Sequence, residues 1–553
     1  GENPHAAAMW DDWLNRVHYG MVQPYHQQWL RGGGAPDGWN YGPLETLNML
    51  RPLAAAFTAK GLDLIHDAAQ PHGYPDGTAK WITQFTWPDM KSVSDRGLVY
   101  DSNNPTPTDA SWATQYAGLL RLANGDNAPL AQRYALDLRS AQGVNNIEPW
   151  AEFLFHDPSA PTANYRTELS YRTPGDGQVA MRSSWDADAV WAAFQCGPYT
   201  GYMHSAEEFY DKGGLAIQRG GVQFLVNAWA AMFRHTPGTS DGAGSALYHS
   251  LYYELYGTSA DGVASGRRIF NTFYAVRPGG YWGQLGNGPG DAATTLSRFE
   301  EGTDYVLMRG TNIEDMYFNN HPIQAWTRTV VYVRPQLFFV YDRTKVSSAN
   351  VDNWMAWHVA AAPAEQVGAA PGTRRFDVID TRPAFGGDLY RGRVTTVLPA
   401  GNIVTSVNLF DKNKVYRLEV RPGTPAANNT WLTVFDASAS AMAAGEVTPL
   451  TVAAGTVTAG DVEGALVVNG GGNYAVLFSP TGQSANGPIS FTVPADDTYG
   501  LIADLQPNAG YTITVTASGA EFLITVTPDG SAQATAEGTL QFDVSAAGVV
   551  TPL

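Results

Sequence analysis

The sequence predicts an α+β protein of several domains, with helices first, a large antiparallel β region next and a small β domain last. Three observations lead there. At 553 residues the chain is longer than one hydrophobic core supports. Its apolar periodicity changes from helical to alternating near residue 165. After Ala437 the composition turns to Ala, Gly, Thr and Val with few charges. The breaks divide the chain into residues 1–160, 161–440 and 441–553.

The helical part begins with Trp10 to Leu30, rich in Trp, Leu and Tyr at helical spacing. Gly42-Pro43 is read as the start of a second helix, with proline in its first turn. Leu44, Leu47, Leu50, Leu53 and Phe57 follow on one face, and Gly61 is a stop signal. Ala110 to Ala123 and Ala128 to Ser140 form two more, split by the breaker Asn124-Gly125-Asp126-Asn127. Strand-like runs then recur, among them Tyr305–Arg309, Thr327–Val333, Leu337–Asp342 and Trp354–His358. Tyr511–Thr516 and Glu521–Val526 are short strands of the last domain.

Composition narrows the partners. Charged residues are 16% and hydrophobic residues 44%, so the chain is globular. No apolar run reaches about eighteen residues, which excludes a transmembrane helix. A formal net charge of -18 argues against nucleic acid or an anionic membrane as partner. A polyanionic substrate would need a local cleft lined by Arg or Lys. The 16 Trp and 27 Tyr suit a β-rich core and also sugar stacking. Cys196 is the single cysteine; its apolar strand setting favours a buried, inert thiol. The chain opens at Gly1, and a processed or trimmed N-terminus is expected.

Motifs exclude further classes: there is no P-loop, no dinucleotide GxGxxG, no CxxC pair, no HExxH and no GxSxG elbow. The richest stretch for chemistry is Gly197 to Gly220. There His204 stands with Glu207, Glu208 and Asp211 and with Tyr199, Tyr202 and Tyr210, between two strand-like runs. Proton-transfer groups are commonly presented on such turns.

An ordered set of segments resembles the heparinase II/III-like polysaccharide lyases. It comprises Pro36-Asp-Gly-Trp-Asn-Tyr-Gly42, Gly177-Gln-Val-Ala-Met-Arg-Ser-Ser-Trp-Asp186, the Gly197–Gly220 stretch, Trp326 to Arg343 and Trp354-Met-Ala-Trp-His358. The resemblance implies an incomplete (α/α) toroid at the N-terminus, a large central antiparallel β-sandwich and, with the last domain, a small C-terminal β-sandwich. It implies a secreted or periplasmic enzyme that cleaves a uronate-containing, anionic polysaccharide by β-elimination. Tyr100 and His204 match the family's acid and base, and Asn40 with Tyr41 the group that neutralises the sugar carboxylate. Trp39, Arg96, Glu208 and Arg234 complete the substrate-binding set. Arg96, Arg234 and Arg328 are the candidate cations for lowering a tyrosine pKa, normally near 10, although each reads first as an ordinary ion-pair partner.

The sequence departs from the family at several positions. Tyr41 stands where a histidine is common, and Ala206 and Asn227 replace zinc ligands, although His249 matches the last ligand position. No cofactor is firmly implied; a structural divalent metal, zinc or calcium, is left open at His249 and Asn227. The helical part is shorter than the family's, as if an N-terminal part were missing or the cleft unusually open. Two rivals stay in view: a glycoside hydrolase, which needs two facing carboxylates, and a non-catalytic carbohydrate binder.

Overall fold

The computed structural model describes residues 3–35, 38–67, 73–88, 90, 94–95, 98–99, 110–142, 149–198, 211–226, 271–277, 280–284, 293–317, 321–380, 389–410, 415–438, 446–450, 452, 462–485 and 487–553. They fall into two compact units. The first is Gly1–Thr272 with Gln284–Leu296 and Asp315–Asn319; the second is Phe273–Gly283, Ser297–Glu314 and Asn320–Leu553.

The first unit opens on continuous helix: Ala6–Asp12, a π-helical Trp13–Val22 and Gln23–Trp29. The next helix is Gly38–Lys60, which starts four residues before the expected Gly42. Trp39, Asn40 and Tyr41 therefore belong to its first turn, and Pro43 lies inside it. Lacking an N–H, Pro43 leaves the Trp39 carbonyl without its helical donor. Gly61 ends this helix as expected: its φ is +65°, its N–H reaches Phe57 O at 2.9 Å and Leu62 N–H reaches Ala56 O at 3.3 Å. This is the left-handed stop that glycine adopts cheaply.

A further helix, Tyr74–Phe85, lies in the helical part but was not singled out in the sequence. Proline in the first turn and an acidic Asp76 beside it suit a helix start. Helices Ala110–Leu122, Ala128–Gln142 and Pro149–Phe155 follow. They pack around Leu50, Trp81, Phe85, Tyr116, Leu120 and Leu138.

The strands of this unit, Ser170–Arg172, Gln178–Arg182, Val190–Gln195, Gly214–Arg219 and Val222–Leu225, pair antiparallel in sequence order. Ala180 lies opposite Ala193, and Ala193 opposite Ala216. That row of small side chains opens one sheet face to the helices, and Ala180 and Ala193 join their core.

In the second unit an eight-stranded antiparallel sheet runs in the order Thr295–Glu301, Tyr305–Thr311, Ile323–Val333, Leu337–Val346, Asn428–Asp436, Leu389–Leu398, Arg374–Asp380 and Pro363–Glu365. Strands Ile403–Phe410, Val415–Arg421, Asn353–Val359 and Phe273–Arg277 pair antiparallel beside it. The two sets pack face to face: Trp357 meets Phe435 edge-on at 5.0 Å, and Phe273 meets Trp431 at 6.0 Å. Arg328 lies in this core, fully buried, with its Nε donating to Asp342 at 2.7 Å and its guanidinium 4.6 Å from the Trp357 ring. It is a packed ion pair, the ordinary role that the sequence reading favoured for it.

The last 108 positions from Glu446 to Leu553 supply a six-stranded and a four-stranded sheet. One pair, Gly472–Phe478 with Thr498–Ile502, is parallel. Alternation puts Val467, Val476 and Leu501 against Leu307, Val331 and Phe339 of the eight-stranded sheet. The opposite face, with Leu466, Leu477 and Phe542, covers Phe491 and Ile524 of the four-stranded sheet. A clasp at Asp504 closes the first of these interfaces. Its buried carboxylate meets Arg343 at 2.6 Å, bonds Arg309 and lies 3.8 Å from Arg298. Burial pushes the Asp504 carboxyl up, but Arg309 and Arg343 outweigh it and hold it below the usual range.

Removing that charge leaves three crowded guanidinium groups, so Asp504→Asn is expected to cost about 3–5 kcal/mol. Urea denaturation at neutral pH checks this. The carboxyl is depressed in the folded state, so the difference is expected to be full above its unfolded pKa, about 3.9, and to shrink as pH falls through the folded value.

Candidate active site

The sequence-predicted site residues fall in five stretches of the first unit. Tyr100, Arg96, His204, Glu208, Asn227, Arg234 and His249 lie outside the described residues, and Trp39, Asn40 and Tyr41 are described as backbone in the first turn of Gly38–Lys60. The described residues around these segments form one anchoring system, centred on strand Gln178–Arg182.

Alternation along that strand sends Gln178, Ala180 and Arg182 to the helical side. Gln178 holds the chain leading to Asn40. Its Nε2 donates to Ala35 O at 3.1 Å, and its Oε1 accepts from Trp81 Nε1 at 2.8 Å. The same Nε2 donates to Asp176 at 2.6 Å, and Thr173 Oγ1 donates to Asp176 at 2.5 Å. Gly34 packs so close to this carboxylate that a Cβ would stand 2.4 Å from both oxygens.

The other end of the strand secures the helix after which the Arg96–Tyr100 segment follows. Arg182 Nη2 donates to the carbonyls of Gln84 at 2.8 Å and Thr86 at 3.0 Å, and Trp191 Nε1 donates to Gln84 O at 2.9 Å. A cation at these last carbonyls also meets the negative end of the helix dipole. Arg182 is 1% exposed, and burial pulls its pKa down to about 9, so it stays cationic at neutral pH. Trp185 covers it, with the guanidinium 3.6 Å from the ring. Ser94–Asp95 and Leu98–Val99 pair antiparallel.

The stretch with His204 leaves from Val190–Gln195 and returns into Gly214–Arg219. These strands are neighbours, with Gln195 opposite Gly214 and Gly213 N–H donating to Gln195 O at 2.7 Å. The exit is clamped to the Asp176 turn: Cys196 N–H donates to Gly177 O at 2.9 Å, and a Cβ on Gly197 would meet Asp176 O at 2.1 Å. On the return, Gln284 brackets buried Lys212, accepting from its N–H at 2.9 Å and donating to its carbonyl at 2.6 Å. Cys196 is buried, as expected. Thus the turn 173–178 and its strand grip the chain next to both the Asn40 and the His204 segments. The Asp176, Gln178 and Arg182 roles were missed in the sequence, where Thr-Pro-Gly-Asp-Gly reads as an ordinary turn.

A separate polar cavity of about 520 Å³ opens in the helical layer and is lined by Asp67, Asp76, Lys80, Asp126, Asn127 and Tyr171, with His66 at its wall. His66 Nδ1 lies 2.9 Å from Asp63 and Nε2 3.3 Å from Asp126. The Asp63 hydrogen bond, opposed by burial and helped by the charges of both carboxylates, raises the His66 pKa. Burial raises Asp76 against the hydrogen bonds from Asn127. Lys80 is engaged by Glu168 at 3.0 Å. With its carboxylates in excess, this cavity is unsuited to neutralising a uronate. Among the described residues no three His, Cys, Asp or Glu side chains could hold a metal.

No family model matches the chain, and no curated protein matches it in sequence. Among solved structures it is similar to the heparan sulfate lyase HepC from Pedobacter heparinus, with a TM-score of 0.51 and 14% identity over 82% of this chain and 60% of that one. A heparinase III structure gives 0.49 at 11% identity, covering 86% and 63%, and another gives 0.43 at 10%, covering 85% and 64%. The chain therefore spans 60% of HepC's length. The likeness is one of fold: this is a heparinase-like polysaccharide lyase fold, α+β with several antiparallel sheets. No helix among the described residues is long and apolar enough to cross a membrane.

Two outcomes test these contacts. Gln178→Leu strips hydrogen bonds from Trp81, Asp176 and the Ala35 carbonyl, and is expected to lower stability by on the order of 2–3 kcal/mol in chemical denaturation. For His66, the raised folded pKa gives a contribution that is full below the unfolded value, about 6.5, and is lost as pH rises through the folded value. The melting-temperature gap between wild type and His66→Gln is accordingly expected to be wider near about pH 6 than near about pH 8.5.

Proposed function

We propose that the protein is a polysaccharide lyase that cleaves a uronate-containing glycan by β-elimination. The observation that carries this reading is the fold likeness to a heparan sulfate lyase. Further support is that Ala35 and Cys196–Gly197, described chain that leads in sequence to Asn40 and to His204, are held by one buried turn. On this reading Asn40, with Tyr41, hydrogen-bonds the C6 carboxylate, so that the charge growing at C5 is stabilised. A base of the Tyr100–His204 pair takes the C5 proton. The C4–O4 bond breaks as the C4–C5 double bond forms, and the other member of the pair protonates the departing O4.

The same reading makes Trp39 a stacking surface for a sugar ring, and Arg96, Arg234 and Glu208 polar contacts of the neighbouring units. We propose the helical part as an incomplete (α/α) toroid and an extracellular or periplasmic setting, where such polymers occur. A metal, if held, would sit at His249 and Asn227 as a structural ion, and no step of the elimination uses it.

The test is incubation with alginate, glycosaminoglycans, ulvan and rhamnose–glucuronate glycans while ultraviolet absorbance of the unsaturated uronate is followed. Product is expected from at least one of them. Tyr100→Phe and His204→Ala are each expected to lower kcat by about 10²–10⁴-fold, the range for a lost acid or base. Full activity in both variants would overturn the residue assignment, and reducing ends released without a double bond would replace elimination by hydrolysis.

A further inference from the structure

The six-stranded sheet carries a side-chain row that neither its core nor the proposed lyase site accounts for. Tyr474 pairs in register with Tyr499, Tyr499 with Asp543 and Asp543 with Thr551, across four adjacent strands. Directly opposed residues point to the same face, so two phenol rings, a carboxylate and a hydroxyl stand side by side at strand spacing. All four line a cavity of about 440 Å³ at the strand ends, together with Asp497 and Ser545. That volume is within the usual range for small-ligand sites, about 300–1,000 Å³.

We propose that this cavity binds a neutral pyranose unit of a glycan, outside the lyase site. The rings supply the apolar platform. Their centroids are 6.3 Å apart at 50°, and both rest against the inter-sheet core, which limits their freedom before a ligand arrives. A pyranose presents one face of C–H groups to such a surface and its hydroxyls at the rim.

The polar groups match those hydroxyls. The Asp543 carboxylate has no hydrogen-bond partner among the described residues, and neither has the Tyr474 hydroxyl, whereas the Tyr499 hydroxyl is used by Gln541 at 3.1 Å. A carboxylate accepts two hydrogen bonds from vicinal hydroxyls, and these are the stronger, charge-assisted kind. The Tyr474 hydroxyl can donate to a sugar oxygen.

Charge decides which sugars fit. The lining holds Asp497 and Asp543 and no Lys, Arg or His. Burial raises the Asp543 pKa, and the charges of Asp304 and Asp497 add to it. A uronate or sulfate placed there meets like charge, which opposes its binding, and a neutral hexose or pentose does not. The carboxylates do not form a metal set, since no three acidic or histidine side chains among the described residues could hold an ion.

The inference does not rest on the lyase reading, and a binding assay separates them. The full chain is titrated by calorimetry with neutral cello-, galacto- and xylo-oligosaccharides, with a uronate oligosaccharide, and with calcium and tetramethylammonium chloride. Binding of at least one neutral oligosaccharide is expected at millimolar concentration or below, weakened about tenfold or more by Tyr474→Ala and by Asp543→Asn. Asp543→Asn keeps the packing intact and so covers a folding defect in the tyrosine variant. Absence of any neutral-sugar binding overturns the proposal, as does binding that both variants retain. An Asp543-dependent response to calcium or tetramethylammonium alone overturns it too.

Discussion

The Gln178 side chain is the contact on which the rest of the first unit depends. It is a neutral amide that must serve a tryptophan N–H, a backbone carbonyl and a carboxylate together. Buried amides are costly unless satisfied, so this one fixes three segments in a single arrangement. Asp176 next to it restricts the neighbouring chain to glycine at 34 and 197, because a Cβ at either would collide with the turn. Four residues along the strand, Arg182 adds a second anchor at the end of Tyr74–Phe85. The alanines at 180 and 193 let the helices come close enough for both anchors to reach.

This arrangement separates rigidity from chemistry. The anchors lie in sheet and turn, while the proposed acid, base and carboxylate ligand follow in sequence after the chain they hold. Catalytic groups tolerate little misplacement, so their supports need to be dry and over-determined. The second unit uses the same physics for another purpose. Arg328 with Asp342 and the three arginines at Asp504 are buried ion networks that fix how its sheets stack. Such networks contribute little net stability, yet removing one member is expensive.

Much of the fold was legible because the signals were local. The period-two runs at Leu337–Asp342 and Trp354–His358 became strands Leu337–Val346 and Asn353–Val359, and Gly61 ended its helix at a positive φ. What failed was overridden by tertiary contact. The helix Tyr74–Phe85 was not singled out because distant contacts hold it: Tyr74 is buried with its hydroxyl 3.1 Å from Thr46, and Trp81 is tied to Gln178. The Gly42-Pro43 start was also wrong, since the helix begins at Gly38 despite the proline. Arg328 pairs with Asp342 on the next strand, in keeping with its reading as an ordinary ion-pair partner, although no spacing in sequence reveals that the pair is fully buried. Of the candidate site, only the helical backbone at Trp39, Asn40 and Tyr41 falls among the described residues, and its supporting turn looked generic because its meaning comes from Ala35 and Trp81, far away in sequence.

The most direct measurement is an experimental structure of the His204→Ala variant with a uronate oligosaccharide bound. The account predicts the sugar carboxylate on Asn40 and the Tyr100 hydroxyl within hydrogen-bond reach of C5 or O4 of the cleaved linkage. An oligosaccharide bound away from Asn40 and Tyr100, or seated in the acidic cavity beside His66, would contradict it.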